Sequence, residues 1–139
     1  MGKTLKVLLY VFAVYHLVLG VFGVFFTGFS FLVEKVIALA FNFNIVLDAQ
    51  TIWMIKPIAA YMLIMGVISL IAAANPAKNK NLIYALAALM VVRILQRLVF
   101  AFQGQDFVIN ANPVGNYLVI IVLAVYSVYL VWLTKKINA

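Results

Sequence analysis

The chain has 139 residues, 68% of them hydrophobic and 9% charged, with a net charge of +7. Soluble domains are roughly 45–50% apolar and about 25% charged, so this composition excludes a water-soluble globular fold and makes lipid the solvent for most of the chain. Cysteine is absent, which excludes disulfides, thiolate metal sites and thiol redox chemistry, and the lysines gather at the ends of apolar runs, which points to membrane topology and anionic lipid and away from nucleic acid.

Met1-Gly2-Lys3-Thr4-Leu5-Lys6 is short and basic, and Lys6 stands where a myristoylation signal needs Ser or Thr. The apolar run that follows is too long for the core of a signal peptide, and no small-x-small cleavage site follows a short one. Val7–Phe29 therefore reads as the first transmembrane helix. His16, Gly20, Gly23 and Thr27 fall on one small, slightly polar face suited to close packing.

Between Phe29 and Asp48, Glu34, Ala38 and Asn42 share one side of a helix, with Phe31, Leu32, Val36, Leu39 and Phe43 spread over the rest. Phe31–Leu47 reads as an amphipathic segment at the outer interface, with a re-entrant element or further span as the alternative. Thr51–Ala74 is the second span, entered through Trp53, Lys56 and Pro57, with Pro57 expected in its first turn. Asn75-Pro76-Ala77-Lys78-Asn79-Lys80-Asn81 is a turn by composition. The third span covers Leu82–Gln103, a polar loop 104–113 without a basic residue follows, and the fourth span runs over Val114–Leu133. Tyr126, Tyr129 and Trp132 lie near its end, before Lys135-Lys136. The fold class is all-α, a single domain over residues 1–139 forming an integral membrane four-helix bundle, with an amphipathic outer-side segment between spans one and two.

Four spans put both termini and the Asn75–Asn81 turn on one side. That side holds Lys3, Lys6, Lys78, Lys80, Lys135 and Lys136, whereas Glu34, Asp48 and Asp106, with Lys35 and Lys56, fall on the other. The positive-inside rule then predicts cytoplasmic termini.

One span carries charge inside it. Arg93, Gln96 and Arg97 recur at i, i+3 and i+4 in the third span, so they project from one side of a helix. A guanidinium at mid-membrane costs about 2.5–3.5 kcal/mol on insertion scales, so this stripe is expected to face protein or a wet cavity. Arg97 lies about 9 Å below the helix end at Gln103, with Arg93 one turn deeper. Lys56 enters at a depth close to Arg97, and His16 sits at a depth comparable to Arg93. If the bundle unites these faces, an outward-opening pocket holds Lys56, Arg97, Gln96 and Arg93, with Tyr61 and His16 below. Its chemistry would suit a lipid phosphate, a carboxylate or the carbonyls of a quinone-like molecule. The alternatives are that Arg97 snorkels to headgroups while Arg93 bonds carbonyls and Gln96, that the arginines pair with Asp48 or Asp106, or that they meet a partner subunit.

Enzyme chemistry lacks its parts. No acid falls within the third span beside the arginines, and one His without Cys cannot build an ordinary transition-metal site. His16 or a tyrosine would act as a base without an orienting carboxylate. No cofactor and no nucleic-acid partner is expected.

The first span, the outer segment, the glycine-bearing stretch Tyr61-Met62-Leu63-Ile64-Met65-Gly66, the turn Ala74-Asn75-Pro76 and the internal arginine of the third span together resemble the DoxX-like group of small bacterial four-span membrane proteins. The resemblance implies a helical bundle serving as an accessory membrane component, and it carries over no catalytic residues. The expectation is a non-enzymatic accessory subunit or small binding protein in a prokaryotic cytoplasmic membrane for a membrane lipid or lipophilic anion, with a larger membrane protein complex or a homo-oligomer as the partner. A small oligomeric transporter or channel is the alternative, and a redox-linked membrane enzyme comes after it.

Overall fold

Helices form here because the apolar runs contain few breakers and because lipid leaves every backbone polar group to be satisfied within its own segment. The computed structural model describes residues 2–26, 28, 30–41, 48–103 and 113–137. It contains α1 (Gly2–Phe25), α2 (Ser30–Phe41), α3 (Ala49–Ala74), α4 (Lys80–Gln103) and α5 (Pro113–Lys136), with no strand among the described residues. All except α2 are long and apolar enough to cross a membrane. The 12 residues of α2 reach only about 18 Å, short of a hydrocarbon core of about 30 Å. The chain is a four-helix membrane bundle with a short helix between its first two spans. Within α2, which touches α1, Val33 is buried and Leu39 fully exposed.

The helix ends differ from the sequence reading in instructive ways. α1 begins at Gly2 and ends at Phe25, against the expected Val7–Phe29, so Lys3 and Lys6 lie outside the apolar run but inside the helix. α3 begins at Ala49 because Asp48 caps it: the Thr51 N–H donates to the Asp48 carboxylate at 2.7 Å, and the Ile52 N–H to the Asp48 carbonyl at 2.9 Å. Pro57, expected in the first turn, lies in the helix interior. Transmembrane helices tolerate such a proline, although its missing N–H removes one hydrogen bond. The turn between α3 and α4 is held by two asparagines. Asn75 accepts from the Lys78 N–H at 3.2 Å, and the Asn79 side chain donates back to the Ile71 carbonyl at 2.9 Å. Thr27, Phe29, residues 42–47 and the loop 104–112 with Asp106 lie outside the described residues.

Packing follows chain order around a square. α1 lies on α3, α3 on α4, α4 on α5 and α5 on α1, so α1 and α4 face each other across the diagonal without backbone contact. The pairs α1–α3 and α4–α5 are the most extensive. The first is a small-residue seam: Gly20 faces Leu63, Gly23 faces Ala59 and Gly66 faces Leu17, which fixes the two helices as antiparallel. A β-carbon built on Gly20 would fall 2.6 Å from Leu63 Cγ, so the close approach requires glycine there.

All four spans meet in one apolar core at the end that carries both termini, hereafter the near end. Leu5 and Leu9 of α1, Ala72 and Ala73 of α3, Ile83, Leu86 and Met90 of α4, and Leu130 and Leu133 of α5 are buried together there. Toward the far end the two pairs behave differently. α1 and α3 stay closed on each other as far as Gly23 and Ala59, but no described residue of α4 beyond Met90, or of α5 before Ser127, is buried.

Candidate functional site

The near-end core stops at Met90, and a polar layer begins one turn above it. His16 is buried on α1 at 4% exposure. Its Nδ1 lies 2.8 Å from the Phe12 carbonyl oxygen, and its Nε2 lies 3.3 Å from Nη1 of Arg93. A carbonyl can only accept and a guanidinium can only donate. The ring is therefore the neutral tautomer that donates from Nδ1 to Phe12 and accepts at Nε2 from Arg93. A second N–H on the ring would point at the guanidinium, so this contact requires neutral imidazole. The bond spans the diagonal of the bundle, where only a long side chain can bridge helices whose backbones do not touch.

Aromatic rings hold the imidazole in place. The Phe12 ring lies 3.9 Å from it, Tyr15 meets it edge-on at 5.1 Å, and Tyr126 of α5 stacks on Phe12 at 6.1 Å. The Tyr126 hydroxyl donates to the Leu8 carbonyl and ties α5 to α1 one turn below. No buried side-chain nitrogen or oxygen among the described residues lacks a hydrogen-bond partner.

Arg97, one turn further along α4, is half-buried and donates to Asn116 Oδ1 at 2.8 Å; the Asn116 amide returns a bond to the Arg97 carbonyl at 3.4 Å. Arg93, Arg97 and Tyr15 also make further interactions. The result is two guanidinium groups on successive turns of one helix, each oriented by a neutral polar side chain from a different neighbour, His16 on α1 and Asn116 on α5.

Of the residues the sequence grouped into one pocket, the structure brings His16 and Arg93 into contact and sets Arg97 one turn beyond them. It does not bring Gln96, Lys56 or Tyr61 to the layer: all three are exposed. The reason is helix rotation. At about 100° per residue, Gln96 stands about a quarter-turn from the line of Leu86, Met90 and Arg97 that faces the core. Lys56 and Tyr61 flank α3 on opposite sides, about a quarter and somewhat more than a third of a turn respectively from the line of Gly66 and Ala73. Asp48, considered as a partner for the arginines, caps α3 instead.

Asn116 is the residue that sequence reasoning passed over. Its signal was a lone amide one turn inside an apolar run, at the level of the oppositely running α4 where Arg97 needs an acceptor. Tyr15 and Phe12 carried no separate signal, since aromatic residues on α1 are indistinguishable from lipid-facing ones until the position of His16 is known.

Comparison with protein-family models, with curated proteins and with solved structures finds no match for this chain.

Proposed function

We propose that the protein is a multi-pass component of a prokaryotic cytoplasmic membrane that acts without catalysis, as an accessory subunit or small binding protein, by holding a lipid or other lipophilic anion against the Arg93–Arg97 layer. The observation that carries this reading is the layer itself: two oriented guanidinium groups at mid-helix, beneath a far half in which the α4–α5 pair leaves its inward faces only half covered. Guanidinium is the cation suited to bidentate contact with phosphate or carboxylate. Apolar walls above it suit a ligand with a hydrocarbon body. The DoxX-like resemblance agrees with an accessory role.

Lysine placement supports cytoplasmic termini. Lys3 and Lys6 stand in the first turns of α1 and Lys80 opens α4, where the positive end of the helix dipole disfavours a cation. Lys135 and Lys136 close α5, where the dipole favours one. What these lysines share is a membrane side, not a helix polarity, which is the pattern of the positive-inside rule. A reporter fused after Ala139 is expected to be active in the cytoplasm and one within residues 104–112 outside it; the reverse result overturns the orientation.

The binding reading is tested by purification into native-lipid discs and mass spectrometry of what accompanies the protein. Arg93→Leu is expected to remain folded and lose a bound lipid or anionic component, with Arg93→Lys restoring it partly because lysine supplies charge without the bidentate fork. Identical bound material in wild type and a folded Arg93→Leu protein would refute the reading.

A further inference from the structure

A second feature lies on the opposite side of α5 from the core and is independent of the arginine layer. Ala124, Val125, Val128, Tyr129 and Trp132 line an open apolar groove of about 460 Å³ on the near half of that helix. Val125 and Val128 are among the more exposed residues of the chain, at 64% and 69%. The groove runs over two turns, about 12 Å along the axis, with small Ala124 at its inner end. At its mouth the Tyr129 and Trp132 rings stack at 5.6 Å with an interplanar angle of 18°. The Lys136 ammonium lies 4.0 Å from the centre of the Trp132 ring, with Lys135 beside it in the chain.

We infer that this groove is a binding site for one anionic phospholipid, with the phosphate at Lys135 and Lys136 and an acyl chain lying along Val128, Val125 and Ala124. Charge complementarity selects the occupant. The near end holds six lysines and no acid, and the ammonium that is turned back over Trp132 stands where the apolar groove ends. Trp132 lies at the boundary between them, the level at which indole rings partition in a bilayer. A second copy of the chain suits the groove less well. Membrane helix pairs close on small residues, whereas this groove is walled by β-branched and aromatic ones. A parallel copy would also bring its own Lys135 and Lys136 to the level of the first pair.

The chain has two tryptophans, so Trp53→Phe leaves Trp132 as the single fluorophore, and Trp132→Phe leaves Trp53 at the far end as its control. Each protein is placed in mixed bilayers of phosphatidylglycerol and phosphatidylcholine in which one or the other lipid carries brominated, quenching acyl chains. Trp132 is expected to be quenched preferentially by the brominated phosphatidylglycerol, and Trp53 to show no such preference. Replacing Lys135 and Lys136 by Gln is expected to lower the preference roughly fivefold per lysine. Val125→Phe, which fills the groove and leaves both lysines in place, is expected to reduce quenching of Trp132 by the anionic lipid while helical content by circular dichroism is unchanged. Equal quenching of Trp132 by the two lipids overturns the site. So does an equal anionic preference at Trp53, which would signify general surface potential, and so does protection of Trp132 from both lipids that is relieved by dilution, which would signify a second copy.

Discussion

Replacing Arg93 and His16 singly and together by leucine tests the diagonal bond at the centre of the bundle. Leucine at position 93 removes a mid-membrane guanidinium whose insertion costs about 2.5–3.5 kcal/mol. It also removes the 3.3 Å contact with His16 Nε2, and interhelical hydrogen bonds in membranes contribute about 0.6 kcal/mol on average and about 1.7 at most. Set against that contact and the further interactions of Arg93, the difference leaves Arg93→Leu as stable as wild type or more stable, by up to about 3 kcal/mol. His16→Leu acts in the opposite direction, since it keeps the guanidinium and removes an acceptor held at 4% exposure. Its destabilisation is expected at about 1–3 kcal/mol. In the Arg93→Leu background the same change should be close to neutral, because Nε2 no longer has a donor to satisfy. Steric trapping or reversible detergent denaturation, followed by circular dichroism, supplies the four free energies of the cycle. A coupling of about 1–3 kcal/mol, the difference between the two backgrounds, is expected. Additivity within about 0.3 kcal/mol refutes the bond, and an Arg93→Leu protein less stable than wild type by about 1 kcal/mol or more refutes the view that Arg93 is kept at the expense of stability.

Gly20→Ala places a methyl group 2.6 Å from Leu63 Cγ and 2.8 Å from the Leu63 backbone nitrogen, which cannot rotate away. α1 and α3 must separate, and a loss of about 1–3 kcal/mol in the same denaturation assay is expected, while Gly2→Ala, with nothing within 4 Å, should be silent. At the start of α3, hydrogen bonding from the Thr51 side chain and then its backbone N–H holds the exposed Asp48 carboxyl below its ordinary value of 3.8. A lowered pKa means that the cap is fully formed above the ordinary value and is lost as the solution is acidified through the lowered one. The Thr51 amide resonance should follow that titration. Asp48→Asn should retain the cap and abolish the titration at Thr51; a titration that persists in Asp48→Asn would refute the assignment.

The four spans were legible because hydropathy over some twenty residues is a statement about solvent, and Asn75-Pro76 marks the turn through backbone chemistry alone. What sequence could not supply was rotation. The arginine stripe was centred on its own polar residues, which put Gln96 inside; the structure centres α4 on Leu86, Met90 and Arg97, because the apolar core of four helices sets the rotation and a single polar side chain does not. The same holds for Lys56 and Tyr61, whose α3 turns its Gly66 and Ala73 line inward to meet α1 and the near-end core. Depth was legible, since rise per residue matches His16 with Arg93, but their contact also needs the square order that makes α1 and α4 diagonal partners. Asn116 escaped notice because one amide near a helix end carries no pattern until Arg97 is known to stand beside it.

The division of the bundle into two tight pairs also has a consequence for how it is made. A chain emerging from the ribosome delivers α1 and α3 first, and the glycine seam lets them close on each other in the bilayer before α4 has been synthesised. His16 precedes Arg93 by 77 residues, so an acceptor is already lodged in the membrane when the first guanidinium arrives. Arg97 meets the opposite circumstance, because Asn116 follows it by 19 residues and enters only with the last span.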